Sequence, residues 1–388
     1  MAANFRFSGG ECCCCKDTVT GSEQRAWEGS AFGNIQLKRT NIASEFREIV
    51  YTHNMQPASS PLYSDGTCAP EWQGKRVYYT YQLNQRSGGG ALIGSNSVIR
   101  WWNLKDSAGT AGDSPLVTGD VGTVTGFYVD AMATHADEQK IYFVGYDYPY
   151  PDGSVDYSYQ MRRIDYDGSN MVTLDTVPAF RTGSSTPFFA GAGCMMMNRP
   201  ENRLYYVVAE NVATASAADW IIDIRYRDLT TFAETTIYSK TFPRLGTQLG
   251  ETWVRMLNSI SFDFEDKKIY WVESYRDTVS PFRFQFKIRR ANYDGTDDET
   301  LLHAVDPFQV SFARYSNLHK KVIYSIANRL RTASNRLPGV YVADKDDLAG
   351  GKIVALENVH ELTGAPYPSP FSSFLWCGYE VTGPHAVC

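Results

Sequence analysis

The chain has 388 residues, a net charge of −6 and no basic run. This argues against a nucleic-acid footprint, which needs clustered Lys and Arg to neutralise phosphates. Aromatic content of 14%, with 25 Tyr, 31 Gly and 17 Pro, suits many short strands separated by turns, and helical periodicity is hard to find. This length would ordinarily suggest about two or three domains, but a repeat architecture adds a small core with each unit and need not split.

The opening stretch, "MAANFRFSGGECCCCKDTVT", has no basic segment followed by an apolar one, so it does not read as a secretory leader. No segment approaches the ~20 apolar residues of a membrane span. The settings this leaves are the cytoplasm or a virus particle. Residues 1–32 read as a cysteine-bearing arm. Adjacent side chains point apart, so Cys12, Cys13, Cys14 and Cys15 cannot easily surround one tetrahedral zinc. Cys12 with Cys15 is the pair spaced for a metal or a disulfide. The favoured expectation is a disulfide from the cluster to Cys388 or to a neighbouring subunit, the alternative being a reduced thiol-rich tail. Cys194 and Cys377 fall in apolar strand patterns and read as buried fillers. No metal and no cofactor is expected.

From residue 33 the chain reads as strands. "GNIQLKRTNIASEFREIVY" (33–51) resembles the last two strands of a four-stranded unit whose first two are missing upstream. "KRVYYTYQ" with "SVIRWWNLKD" (75–106) opens a fuller copy, and "EQKIYFVGYD" with "MRRIDYDGSNMVTL" (139–174) repeats it closely. "NRLYYVVAE" with "IIDIRYRDLTTFAETTIY" (202–238) is a weaker copy. The unit stands in full at 259–302. There a strand over 259–264 leads through the turn Glu265-Asp266-Lys267 into an aromatic strand at Ile269 to Glu273. A third strand follows at Phe284 to Ala291, and the Asp294-Gly295 pair supplies the positive φ angles of a tight turn before Glu299 to Leu302. "KKVIYSIA" with "GVYVADKDDLAGGKIVAL" (320–356) follows, and "SSFLWCGYEVT" (372–382) ends the series without a partner. Tyr78, Tyr142, Tyr205, Tyr270 and Ile323 are equivalent positions, spaced about 50–65 residues apart.

The run "KKIYWVES…KIRRANYDGTDDETLL" resembles a repeat of the YWTD propellers of the low-density-lipoprotein receptor family. The signature departs at Val272-Glu273, Val144-Gly145 and Val207-Val208, which stand where that family has Thr-Asp. No EGF-like module or membrane span accompanies it, so the resemblance implies fold and not receptor function. The expectation is an all-β, six-bladed β-propeller of four-stranded antiparallel blades over 33–388. Its closing blade would be shared between residues 33–55 and 368–382, two strands from each end of the chain, which leaves no open edge.

Propellers of this size also host hydrolases and lyases at the mouth of the central channel, where Asp, Glu, Asn or His would converge. Asn258 and Asp130 are candidates, but no spacing selects them. His135 and His319 fall beside turns between first and second strands, His303 ends a fourth strand, and His53, His360 and His385 sit in loops; all read as surface or structural. Long loops on one face usually carry function. The loop "GYDYPYPDGSVDYSYQ" (145–160) gathers Tyr146, Tyr148, Tyr150, Tyr157 and Tyr159, large contact surfaces with little side-chain entropy to lose. Trp253, Arg255, Phe180 and Arg181 are expected to share that face. The plain alternative is a long hairpin whose rings pack on one another. The sequence therefore points to a non-catalytic interaction module, a component of a larger assembly such as a bacteriophage virion. Its partners would be protein subunits or a glycan, with a channel-mouth enzyme as the alternative.

Overall fold

The computed structural model describes residues 18–26, 33–41, 47–54, 68–71, 76–86, 92–103, 118–147, 156–181, 187–189, 195–214, 217–242, 260–276, 284–305, 308–317, 320–328, 339–356 and 374–375. They contain no helix, and so none long and apolar enough to cross a membrane.

The strands form antiparallel sheets that follow the chain. The first sheet runs Phe374–Leu375, Thr18–Ala26, Gly33–Asn41, Arg47–Asn54. The second is Cys68–Glu71, Arg76–Arg86, Leu92–Asn103, Thr118–Thr125. The third is Phe127–His135, Lys140–Asp147, Asp156–Asp165, Val172–Arg181. The fourth has its first strand in two pieces, Pro187–Phe189 and Met196–Asn198, both pairing Arg203–Thr214, followed by Ala217–Asp228 and Glu234–Phe242. The fifth is Ser261–Asp263, Lys268–Arg276, Phe284–Asn292, Glu299–Val305. The sixth is Phe308–Ser316, Lys321–Asn328, Gly339–Asp344, Asp347–Leu356.

From the second to the sixth, consecutive sheets pack face to face, and the core lies in the seams between them. Tyr78, Ile99 and Val121 of the second sheet meet Phe127, Ile141 and Phe143 of the third. The other face of the third presents Tyr142, Val144 and Met161 to Leu204, Tyr206 and Val208 of the fourth. Tyr205 and Val207 then face Phe262, Ile269 and Trp271 of the fifth, whose Tyr270 and Val272 face Tyr315 and Tyr324 of the sixth. The second strands of the third, fourth and fifth sheets are thus buried on both faces. That is why "KIYFV", "RLYYVV" and "KIYWV" read as continuous apolar runs where a one-sided strand would alternate. Four-stranded meanders stacked in this way are the construction of a β-propeller.

The first sheet corrects the expected split. Two strands were expected from each end of the chain; the sheet takes three from the N-terminal side and a short one from the C-terminal side, Ser22 and Glu23 pairing Leu375 and Phe374. The additional strand, Thr18–Ala26, lies in the segment read as an arm. Its residues, "TVTGSEQRA", carry no aliphatic alternation, and its nine-position register with Gly33–Asn41 is what defines it.

Candidate functional site

Each sheet has two ends. At one, the turns between first and second strands and between third and fourth strands lie together, because the backbone itself joins them. Tyr166 N donates to Gln139 O at 2.9 Å, Leu229 N to Asn202 O at 2.9 Å and Tyr293 N to Lys267 O at 2.9 Å. The accepting residues hold positive φ angles of 53°, 51° and 53°, as does Lys320 at 54° in the sixth sheet. The side chains of Asn202, Lys267 and Lys320 reach back to the preceding sheet. Lys267 Nζ meets Glu201 at 2.7 Å, Lys320 pairs with Glu265, and Asn202 Oδ1 meets His135 Nε2 at 3.0 Å. Arg199 adds a pair with Asp137 at 2.7 Å, Lys345 pairs with Asp266, and Arg290 bonds Asp346 at 2.7 Å. This end is a scaffold of clasps.

The opposite end carries the connections between second and third strands and from one sheet to the next. The link from the second sheet to the third is the single residue Gly126, at φ 65°, whose N–H donates to Asn96 Oδ1 at 2.9 Å. Immediately inside it the first strand of the third sheet bulges between Val129 and Ala131. The buried Ser97 fixes that bulge: its Oγ donates to Phe127 O at 2.8 Å and accepts from Val129 N at 3.0 Å. Gly145 lies opposite, where a Cβ would stand 1.8 Å from Tyr128 O, so only glycine lets the two backbones approach.

This geometry places Tyr128 against Tyr146. The two are register partners, and their rings stack at 4.9 Å with 15° between planes. By strand alternation they share the face of Tyr142 and Val144, toward the fourth sheet. On the other face Gln160 Nε2 donates to Asp147 Oδ2 at 2.7 Å, and Arg162 donates to Asp147 Oδ1 at 3.0 Å and to Gln160 Oε1 at 2.8 Å. The Arg162 guanidinium lies 4.1 Å over the Phe127 ring. Burial raises the Asp147 carboxyl above its usual range despite the Arg162 charge, and burial lowers the Arg162 guanidinium despite Asp147. The third sheet therefore ends in an aromatic pair on one flank and a desolvated polar triad on the other.

The backbone register gathers several of the predicted residues at this end. Tyr159 pairs Tyr146, Tyr157 pairs Phe180, and Asp156 pairs Arg181. The hairpin alternative has a counterpart here, since Tyr157 and Tyr159 stand on the third strand itself. Tyr148, Tyr150, Trp253, Arg255, Asn258, Cys12, Cys13, Cys14, Cys15, Cys194, Cys377 and Cys388 lie outside the described residues. Asp130 occupies the bulge position in the backbone. Among the described residues no group of three or more His, Cys, Asp or Glu is placed to hold a metal ion.

Sequence reasoning missed Tyr128, Ser97 and the triad. The spacing of the "GFYVDAMATH" strand against "KIYFVGYD" could have paired Tyr128 with Tyr146, while Ser97 is 32 residues from the amide it serves and left no local signal.

No protein-family model matches the chain, and no curated protein does. Among solved structures it is similar to a putative TolB from Agrobacterium tumefaciens, at 13% identity over 89% of this chain and 97% of that one, with a TM-score of 0.45. It is similar to the β-propeller domain of the Trilobed protease from Pyrococcus furiosus, at 9% identity over 87% and 92%, TM-score 0.41. An alpha-L-arabinanase from Penicillium chrysogenum matches at 8% identity over 80% and 81%, TM-score 0.45. The fold stands on the strand register and sheet packing above, not on these likenesses.

Proposed function

We propose that the chain is a six-bladed β-propeller of the YWTD-like pattern, closed through its first sheet, and that it works as a non-catalytic recognition module. The support for the ring is that the described strands fall into six sheets, the first built from both ends of the chain. The loop end of the third sheet engages a protein subunit or a glycan, within a larger assembly of which a virion is the setting suggested by the sequence. The observation that carries the reading is the Tyr128–Tyr146 stack, held by a glycine-dependent bulge at the root of a tyrosine-rich connection. A rigid aromatic pair offers contact area at little entropic cost.

The test is retention of partners by the tagged chain recovered from its native source, alongside binding to a printed glycan array. A Tyr128→Ala/Tyr146→Ala double variant is expected to lose binding at least about tenfold while still folding cooperatively, at a somewhat lowered melting temperature. Undiminished binding by the double variant, with loss on Lys345→Glu at the clasp end, would overturn the reading.

A further inference from the structure

Of the three links described at this position of the clasp end, one differs from the other two. At the seams between fourth and fifth and between fifth and sixth sheets, the positive-φ residue reaching back is a lysine on a glutamate, Lys267 on Glu201 and Lys320 on Glu265. Between third and fourth sheets the same position is Asn202, and its acceptor faces the imidazole of His135, which is 4% exposed.

The bonds around that imidazole fix its proton. Glu138 N–H donates to Nδ1 at 3.3 Å, so Nδ1 is unprotonated. Asn202 donates through Nδ2 to Thr230 Oγ1 at 3.0 Å, which leaves Oδ1 as the atom facing His135, and Oδ1 can only accept. Nε2 therefore carries the hydrogen, and the ring is the neutral Nε2–H form. A second proton has to go on Nδ1, where it points at a backbone N–H.

We propose that His135 is a proton-sensitive latch between the third and fourth sheets: neutral, it caps its own turn and bonds Asn202; protonated, it abandons the Glu138 amide and loosens the seam. The groups facing it are few. On its own turn Glu138 Oε1 lies 3.9 Å from Nε2, its other oxygen receiving Lys140 at 2.9 Å and Tyr142 Oη at 3.3 Å. Beside it Asp137 pairs with Arg199 of the fourth sheet, and from the same sheet Asn202, flanked by the Glu201–Arg203 pair, faces Nε2. Glu138 thus gives the imidazolium an alternative partner on its own turn, drawing the ring from the cap rather than restoring it. The lysine–glutamate seams respond in a different window. Burial opposes ionisation of Glu201, but Lys267 and Arg203 outweigh it and hold the carboxyl below the usual glutamate range, so that clasp persists until stronger acid. The latch lies on the seam whose other end holds the Tyr128–Tyr146 stack, and it stands whether or not that stack binds a partner.

Native-state hydrogen exchange at pH 7.5 and pH 5.5, corrected for intrinsic rates, tests the proposal on the wild-type chain. The amides of Glu138 and Leu229 are expected to lose protection about tenfold at the lower pH, while Tyr293, the counterpart of Leu229 in the fifth sheet, keeps its protection. In His135→Gln the acid-specific loss is expected to vanish. Equal protection of Glu138 at both pH values, or the same acid loss in His135→Gln, overturns the latch. Should that variant fail to fold, nitrogen-15 imidazole shifts of the wild type decide: an Nε2–H tautomer at pH 7.5 that protonates on Nδ1 by pH 5.5 supports the proposal, and an Nδ1–H tautomer at pH 7.5 overturns it.

Discussion

The two ends of the sheets are built on different principles. At the clasp end one arrangement recurs among the described residues: a positive-φ residue closes the first turn of the third to sixth sheets, its carbonyl takes the amide that follows the third strand in the third, fourth and fifth, and its side chain reaches the sheet before in the fourth, fifth and sixth. At the loop end the third sheet combines a one-residue link, a bulge held by Ser97, and stacked tyrosines over a glycine; the first strand of the sixth sheet is also irregular, between Val310 and Ala313, but without such a combination among the described residues. Repetition marks what holds the sheets together. Departure from it marks where recognition is expected.

That contrast can be broken most forcefully in the seams both ends share. Trp271 is fully buried between the fourth and fifth sheets, and Trp271→Ala is expected to cost about 4 kcal/mol, read as a lowered denaturant midpoint. Gly145→Ala, which drives a Cβ into Tyr128 O, is expected to cost about 3 kcal/mol and to disturb the tyrosine stack, visible as a changed near-ultraviolet circular dichroism spectrum. Ser97→Ala removes both bonds that fix the bulge, at about 2 kcal/mol in the same assay. Glu201→Gln, at the clasp end, is expected to cost only about 0.5 kcal/mol, and the loss should shrink in high salt.

Acid sharpens the contrast further. Glu201 and Asp298 titrate below their ordinary values in the folded chain, Asp298 because Arg289 and Lys240 outweigh its burial. Their contribution to stability is therefore present above the unfolded value and lost as pH falls through the lowered one, in strong acid. Asp147 runs the other way: burial raises it, so its ionised form costs stability, which returns as pH falls through the raised value. Exchange measured across pH 2–6 is expected to show the clasp end loosening in strong acid before the polar triad does.

The clasp end was legible in the sequence because its cause is local. "KKIYW" and "RRANYDG" announce a doubly buried strand and a positive-φ turn, and Ile269, Trp271, Tyr270 and Gly295 are found so placed. Thr18–Ala26 was not legible, because backbone pairing alone makes it a strand. Burial of the polar position just before the first turn of the third to sixth sheets also escaped notice: His135 was placed beside its turn but read as surface or structural, Asn198, Asp263 and Ser316 were not singled out, and all four are buried there. Histidine, asparagine, aspartate and serine share no pattern, only the need to bond backbone within a buried turn. At the loop end, Tyr146 was found from composition, but its partner Tyr128 was not, since strand register rather than sequence distance brings them together.

The measurement that bears most directly on the division of labour between the two ends is site-specific photo-crosslinking in the chain's native setting. Benzoylphenylalanine placed at position 146 is compared with the same probe at position 345 on the clasp end. The account predicts crosslinks to a partner from position 146 and none from position 345. Crosslinks from position 345 with none from position 146 would contradict it.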